Sequence, residues 1–175
     1  KYDGTSVSLV EDINSGGSHG SPANFTEYNG VLYFRANGGS IGQELYKYDG
    51  TSTSLVADIN SGGGSSFPIY LREHNGELYF QANGGSVGTE LYKYNGDSVS
   101  LAQDINSGSS HGSPTFLTAY NGELYFSASN GVTGSELYKY GPESVTIPEI
   151  IVKGNNTEIT NGDVTPVVAD STDFG

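Results

Sequence analysis

The chain of 175 residues contains no cysteine, no tryptophan and no methionine. Without cysteine it has neither disulfide bonds nor thiol chemistry, so cysteine usage does not identify its redox compartment. It also has no apolar run near the ~18 residues that a membrane-spanning helix needs, and no signal peptide is recognisable. Because even an initiator methionine is missing, we expect the chain to be a processed or shortened piece of a longer protein.

Basic residues are scarce. Seven Lys and Arg stand against 20 Asp and Glu, which gives a net charge of −13. Such a surface repels phosphate backbones, so the composition argues against nucleic-acid binding. It can attract cations, Ca²⁺ above all, and the acidic residues are spread along the chain rather than gathered in a tail.

The chain contains three copies of one sequence motif. "GGSIGQELYKYDGT" at residues 38–51 returns as "GGSVGTELYKYNGD" at 84–97 and as "NGVTGSELYKYGPE" at 130–143. The motif "DINSG" recurs every 46 residues, and so does "LYF". A period in the 40s is typical of a solenoid, a propeller or an array of repeats.

Each repeat contains four strand-like runs rich in aromatic and β-branched residues, which in the second copy are residues 70–74, 77–82, 90–94 and 98–105. Asn75-Gly76 predicts a two-residue hairpin between the first and second runs, and Asn95-Gly96 predicts another between the third and fourth. "LYF" is apolar at consecutive positions, so we expect both faces of that strand to be covered. The long Gly/Ser segment after "DIN" would carry the chain to the next sheet.

The predicted fold is therefore all-β, with tandem four-stranded antiparallel blades in a β-propeller-like array. Residues 1–143 hold three repeats, at 5–50, 51–96 and 97–142, and residues 6–13 would supply a fourth strand of a preceding unit. Residues 143–150 echo the fourth strand of the third repeat. We expect the segment 144–175 to be an extended linker or strand region.

Two resemblances follow from these motifs. "GxELYKYDGT", "SLVxDINSG" and "NGxLYF" over residues 1–142 resemble the ELWxxDGT repeat of bacterial secreted and surface proteins, with Tyr in place of Trp. That resemblance implies a propeller-type array at the cell surface or outside the cell, and it implies no catalytic role. Residues 148–175 resemble the opening of a choice-of-anchor D module, an immunoglobulin-like sandwich, which implies that the parent chain continues.

Open sheet edges are the main consequence of this architecture. Propellers close with about 4–8 blades, so three repeats would leave unpaired edges that favour association. We expect copies of the chain to complete one another by strand addition, which builds rings or filaments.

Four groups of residues are candidate sites. The D-x-N-x-G order of "DINSG" resembles the start of a calcium loop, whereas the simpler interpretation is an Asx turn in which the Asp binds loop amides; its members are Asp12, Asn14, Asp58, Asn60, Asp104 and Asn106. One glutamate per repeat is expected to cap backbone N–H groups rather than to catalyse: Glu44, Glu90 and Glu136. Repeated tyrosines would either pack between blades or stack on sugar rings: Tyr46, Tyr48, Tyr92, Tyr94, Tyr138 and Tyr140. The three histidines, His19, His74 and His111, are scattered and are expected at the surface.

No unrepeated nucleophile, base and acid stand out, and "GGSIG" at residues 38–42 matches the nucleophile-elbow pattern without a following helix. The sequence therefore predicts a non-enzymatic extracellular structural or adhesive protein without an organic cofactor. Its expected partner is itself, in a homo-oligomer or filament. The alternative is a carbohydrate-binding, lectin-like module that recognises surface glycans between blades.

Overall fold

The structure is a computed structural model. It describes residues 1–141, and the strands at 152–154 and 157–159. The chain divides into two compact units, Lys1–Gly141 and Pro142–Gly175. The described residues contain no helix that is long and apolar enough to cross a membrane.

Eleven strands of the first unit form three antiparallel sheets. Sheet 1 has the order β1-β2-β3-β4, sheet 2 has β5-β6-β7-β8, and sheet 3 has β11-β10-β9. The strand bounds are β1 (Ala23–Tyr28), β2 (Val31–Asn37), β3 (Gln43–Tyr48), β4 (Thr53–Ala57), β5 (Ile69–His74), β6 (Glu77–Asn83), β7 (Thr89–Tyr94), β8 (Val99–Gln103), β9 (Thr115–Tyr120), β10 (Glu123–Ser129) and β11 (Ser135–Tyr140). The all-β prediction is confirmed, and in the second repeat the predicted strand ends lie within two residues of the observed ones.

Tight turns set the register of the first hairpin in each sheet. Asn75 and Gly76 both have positive φ, 51° and 78°, as a type I′ turn requires. The pair that they join is His74↔Glu77. The same dipeptide stands at residues 29–30 and 121–122, again with positive φ at both positions.

The turn between the third and fourth strands differs from the prediction. Tyr94 pairs with Val99, so four residues rather than two form the connection. The Asn95 side-chain Oδ1 accepts the N–H groups of Asp97 and Ser98 at 2.9 and 2.8 Å, which is an Asx turn. The Asn-Gly dipeptide thus marked the hairpin correctly, but the asparagine side chain selects the longer loop.

The predicted strand at residues 6–13 is wrong. This segment makes an isolated bridge, Tyr2↔Val7, instead of a strand. β4 and β8 each form on a six-residue strand, β3 or β7, whereas residues 7 and 8 pair with only Lys1 and Tyr2. The predicted fourth strand of the third repeat, residues 143–150, lies outside the described residues. In the second unit, β12 (Val152–Gly154) pairs antiparallel with β13 (Thr157–Ile159).

Successive sheets pack face to face. One core cluster joins sheet 1 to sheet 2 and consists of Tyr28, Tyr33, Leu45, Leu78, Phe80, Ala82, Tyr92 and Tyr94. A second joins sheet 2 to sheet 3 and consists of Tyr79, Leu91, Leu117, Leu124, Phe126 and Ala128. Below, each of these two contacts is called a joint. A third cluster, Phe34, Ala36 and Tyr46, lies on the other face of sheet 1 against Ile13.

Sheet 2 is covered on both faces. Leu78, Tyr79 and Phe80 are consecutive in β6 and all are buried, as their apolar run predicted. In the outer sheets one face is less covered: Leu32 of β2 is 36% exposed, and Tyr125 of β10 is half-buried although its equivalent Tyr79 is 5% exposed. Burial of the "LYF" run therefore depends on having a sheet on each side.

Candidate functional site

Both joints contain a buried carboxylate that accepts hydrogen bonds from a connecting loop. Each is crossed by a connecting loop, residues 58–66 or 104–112, and each loop is held by one glutamate from a third strand. Residues 12–20 form an equivalent first connecting loop before sheet 1.

At the first joint the carboxylate of Glu44 is fully buried. Its Oε2 accepts the N–H of Ile59 at 2.9 Å and the hydroxyl of Ser66 at 2.5 Å, and its Oε1 accepts the N–H of Ser66 at 2.9 Å. Burial raises the pKa of Glu44, while these donors oppose the rise and the nearby Asp58 adds to it. Glu44 therefore attaches the loop that follows sheet 1 to β3, the third strand of that sheet.

The second joint repeats this arrangement. Glu90 is fully buried, and its carboxylate oxygens accept the N–H groups of Ile105 at 2.8 Å and of Gly112 at 2.5 Å. Burial also raises the pKa of Glu90, again against backbone donors and with a further contribution from Asp104. Both glutamates thus accept backbone N–H groups of the connecting loop.

Glu136 occupies the equivalent position of β11 but is exposed. Within residues 1–141 its side chain makes no hydrogen bond. Its neighbour Leu137 is 76% exposed, whereas Leu45 and Leu91 at the equivalent positions are fully buried. The glutamate of the same sequence motif is thus buried and bonded to a loop in sheets 1 and 2 but exposed in sheet 3.

The tyrosines build the apolar part of each joint. Tyr94 of sheet 2 packs on Tyr33 of sheet 1 with ring centroids 5.5 Å apart, and Tyr140 of sheet 3 packs on Tyr79 of sheet 2 at 5.6 Å. The Tyr94 hydroxyl donates to the Gly96 carbonyl at 2.6 Å, so its polar end is satisfied. These rings are occupied by packing between sheets.

Three of the other candidate tyrosines also stack on a phenylalanine within their own sheet. Tyr46, Tyr92 and Tyr138 each stack on the phenylalanine opposite them, with centroids 6.2 to 6.4 Å apart. Tyr46 and Tyr92 are 7% exposed, while Tyr48 and Tyr138 are half-buried. Tyr48 lines an apolar cleft of about 490 Å³ between sheet 1 and the N-terminal residues.

The "DINSG" asparagines close the connecting loops. The side-chain amides of Asn14, Asn60 and Asn106 donate to the carbonyls of His19, Ser65 and His111, each at 3.2 Å. Asp12 is exposed, and Asp58 and Asp104 lie beside Glu44 and Glu90. The described residues include no group of three or more His, Asp or Glu side chains placed to hold a metal ion.

The structure also locates the "GGSIG" motif and His74. Residues 38–42 form a turn between antiparallel strands, in which the Gly38 N–H donates to the Gly42 carbonyl at 3.0 Å, so "GGSIG" stands between two strands rather than at a strand-to-helix elbow. The expectation of surface histidines is wrong for His74. It is 5% exposed and packs against Tyr79 at 6.0 Å, because its position on β5 is covered at the second joint.

Sequence reasoning missed a groove across the first strands of the three sheets. It has a volume of about 910 Å³, and its lining includes Phe25, Glu27, Arg72, Glu73 and Tyr120. Phe25 and Tyr120 are 55% and 62% exposed. One signal was available: these strands differ between repeats, with "NFTEY", "YLREH" and "FLTAY" in a chain that otherwise repeats closely.

The first strands also carry unusual backbone geometry. Asn24, Tyr70 and Phe116 occupy equivalent positions and have φ of 56°, 57° and 58°. Positive φ in a large aromatic residue is strained. Here it lies within a register shift between the first and second strands of each sheet, which bends the strand beside the groove.

Comparison of the chain with protein-family models, with curated proteins and with solved structures finds no match. The joints and the groove are therefore interpreted from their own chemistry.

Proposed function

We propose that this chain is a non-enzymatic structural repeat protein of the bacterial cell surface or extracellular space, whose blade-like sheets self-associate into a filament or another extended assembly. One observation carries the proposal. Repeat positions that are buried in the third strands of sheets 1 and 2 are exposed in the third strand of sheet 3: Leu91 is fully buried, whereas the equivalent Leu137 is 76% exposed.

The repeated candidate residues support a structural role. Glu44 and Glu90 accept backbone N–H groups, and the tyrosines pack between or within sheets. These carboxylates and rings therefore stabilise the contacts within and between sheets. The net charge of −13 keeps the outer surface soluble while apolar faces associate.

Exposed edges and faces of this kind template association. An uncovered sheet edge presents free N–H and C=O groups, and an apolar face that is covered elsewhere in the same chain loses stabilisation when it faces water. Because the contact would join different surfaces of two copies, it propagates rather than closing as a symmetric dimer.

Light scattering and negative-stain electron microscopy of the purified chain test this function over a wide concentration range. We expect mass to increase with concentration and extended particles or rings to appear. A monodisperse monomer at the highest concentration would contradict self-association.

The groove supports a second candidate, carbohydrate binding. Exposed aromatic rings and charged hydrogen-bonding groups lie side by side there, with Phe25 and Tyr120 near Glu27, Arg72 and Glu73. Apolar and aromatic linings with a few polar groups are typical of small-ligand sites. A glycan screen tests it, with Phe25→Ala and Tyr120→Ala expected to abolish any binding while leaving the particle mass unchanged.

A further inference from the structure

We infer that β11, which is an edge strand of sheet 3 among residues 1–141, is completed by a second copy of this chain, whose residues 7–11 add to β11 in the register that β8 takes on β7. This inference rests on the self-association proposed above and specifies its contact. In sheet 2 that register is Leu101↔Tyr92, Ser100↔Lys93 and Val99↔Tyr94. At the new contact the pairs become Leu9↔Tyr138, Ser8↔Lys139 and Val7↔Tyr140.

Repetition within the chain shows what covers such an edge. At the interior joints, β4 or β8 adds to the third strand, the connecting loop crosses above it, and Leu45 or Leu91 becomes fully buried. Leu137 lacks this cover among residues 1–141 and is 76% exposed. The N-terminal segment carries apolar side chains that lack a covering partner among residues 1–141, since Val7 and Leu9 are 82% and 81% exposed.

The sequence identifies residues 7–20 as the matching piece. They share 11 of 14 residues with the equivalent segment 99–112, including the whole of "DINSG". Residues 145–158, which follow β11 in the same chain, share 3 of 14, with Pro148 and Ile150 in place of Ala102 and Asp104. The neighbour's segment therefore matches the interior joints more closely than the chain's own continuation does.

Polar groups are complementary as well. Glu136 is an acceptor without a hydrogen bond among residues 1–141, and the N–H groups of Ile13 and Gly20 are the equivalents of the donors that bind Glu90. Within residues 1–141 no carboxylate accepts a hydrogen bond from either donor. A second copy would supply three sets of partners at once: carboxylate to amides, strand to strand, and ring to ring.

The ring contact follows from the two existing joints. Tyr33 meets Tyr94 and Tyr79 meets Tyr140, so the next ring in the series, Tyr125, would meet Tyr48 of the second copy. Tyr125 is half-buried, and Tyr48 lines the open cleft on sheet 1. The cleft thus receives a tyrosine of the same kind that fills the interior joints.

The exchange costs little because it replaces like with like. In one copy Ser8 exchanges two hydrogen bonds with Lys1, at 2.9 and 2.8 Å, and Val7 bridges to Tyr2. Lys139 and Tyr140 present the same two residue types on a full six-residue strand. Val7 and Ser8 would exchange their contacts with Lys1 and Tyr2 for contacts with a six-residue strand.

Engineered cysteines test this register, since the chain has no cysteine of its own. A hydrogen-bonded antiparallel pair has Cα atoms about 5.5 Å apart, which lies within the ~4.4–6.8 Å range of disulfides. Under mild oxidation, the double variant Lys139→Cys with Ser8→Cys should form covalent dimers and a ladder of higher species. Both positions are on the surface, so far-ultraviolet circular dichroism should be unchanged.

Two variants serve as controls. Lys47→Cys with Ser8→Cys uses the same residue types on sheet 1, where Lys47 already pairs with Ser54, and should remain unlinked. Equal ladders from this control would show random collision and overturn the inference. Lys139→Cys with Thr146→Cys tests the competing occupant, the chain's own following segment. A complete disulfide within one chain of this variant, together with no ladder from the Lys139→Cys, Ser8→Cys variant, would place that segment on β11 and would also overturn the inference.

The mass of the unmodified chain separates the two levels of the proposal. If the chain associates but the Ser8–Lys139 pair does not cross-link, the contact lies elsewhere and only the register is overturned. If the unmodified chain stays monomeric and no ladder forms, the inference and the proposed function both fail.

Discussion

Replacing Glu90 by alanine should loosen the attachment of the third connecting loop to sheet 2. The side chain is fully buried and accepts the N–H groups of Ile105 and Gly112. Alanine removes both acceptors and leaves the two donors in a space that is too enclosed for each to be fully hydrated. The matched control is Glu136→Ala, which changes the same repeat position where the carboxylate is exposed.

The expected magnitude follows from the two orphaned donors. Each unsatisfied buried group costs about 1–3 kcal/mol, which gives a sum of about 2–6 kcal/mol. Removing a buried charge returns part of that cost, so we expect the free energy of unfolding to fall by about 2–4 kcal/mol. The control should change it by less than about 0.5 kcal/mol, as is usual for surface substitutions.

Urea unfolding followed by circular dichroism measures the global effect at a dilution where the chain is monomeric. Amide hydrogen exchange locates it, because a loss of about 2.8 kcal/mol corresponds to exchange about 100-fold faster. The increase should be largest at Ile105 and Gly112. Equal destabilisation by Glu90→Ala and Glu136→Ala would refute the assignment of Glu90 as a fastener, and so would unchanged exchange at both amides.

Three further outcomes are expected. Tyr94→Ala should lower the free energy of unfolding by about 3–5 kcal/mol, since the ring fills the first joint. Tyr48→Ala at the cleft on sheet 1 should lower it clearly less, as measured by the same urea unfolding. Gly88→Ala should be much more destabilising than Gly134→Ala: both glycines have positive φ, but only at Gly88 would the added Cβ collide with the Ser110 carbonyl oxygen; equal melting temperatures would contradict this. A calcium chelator should leave the unfolding midpoint unchanged, because among the described residues no three His, Asp or Glu side chains are placed together to hold a metal ion; a drop reversed by added Ca²⁺ would instead support the calcium hypothesis.

Much of the fold was predictable because it is written locally. Asn75-Gly76 dictates a type I′ turn through its backbone preferences, and the alternation around it sets the strand register. The failure at residues 6–13 has a physical cause. Strand formation needs a partner of sufficient length, and the residues "SVSLVEDI" carry the same propensity whether or not that partner exists.

The sites were less predictable, since identical motifs have different surroundings. Glu90 and Glu136 lie in the same "ELYKY" sequence, yet one is buried and the other exposed. His74 looks polar in the sequence but is buried and packs against Tyr79. The groove depends on which strands lie side by side, and it could be suspected only from the divergence of the first strands between repeats.

The constant 46-residue period has a consequence for how such a chain can change over time. Every interior joint uses the same fastener, ring pair and loop, so one whole repeat could be duplicated or deleted by recombination without creating a new kind of contact. Length would then be a freely adjustable trait, inherited in whole repeats, while substitutions in the first strands could diversify the groove independently.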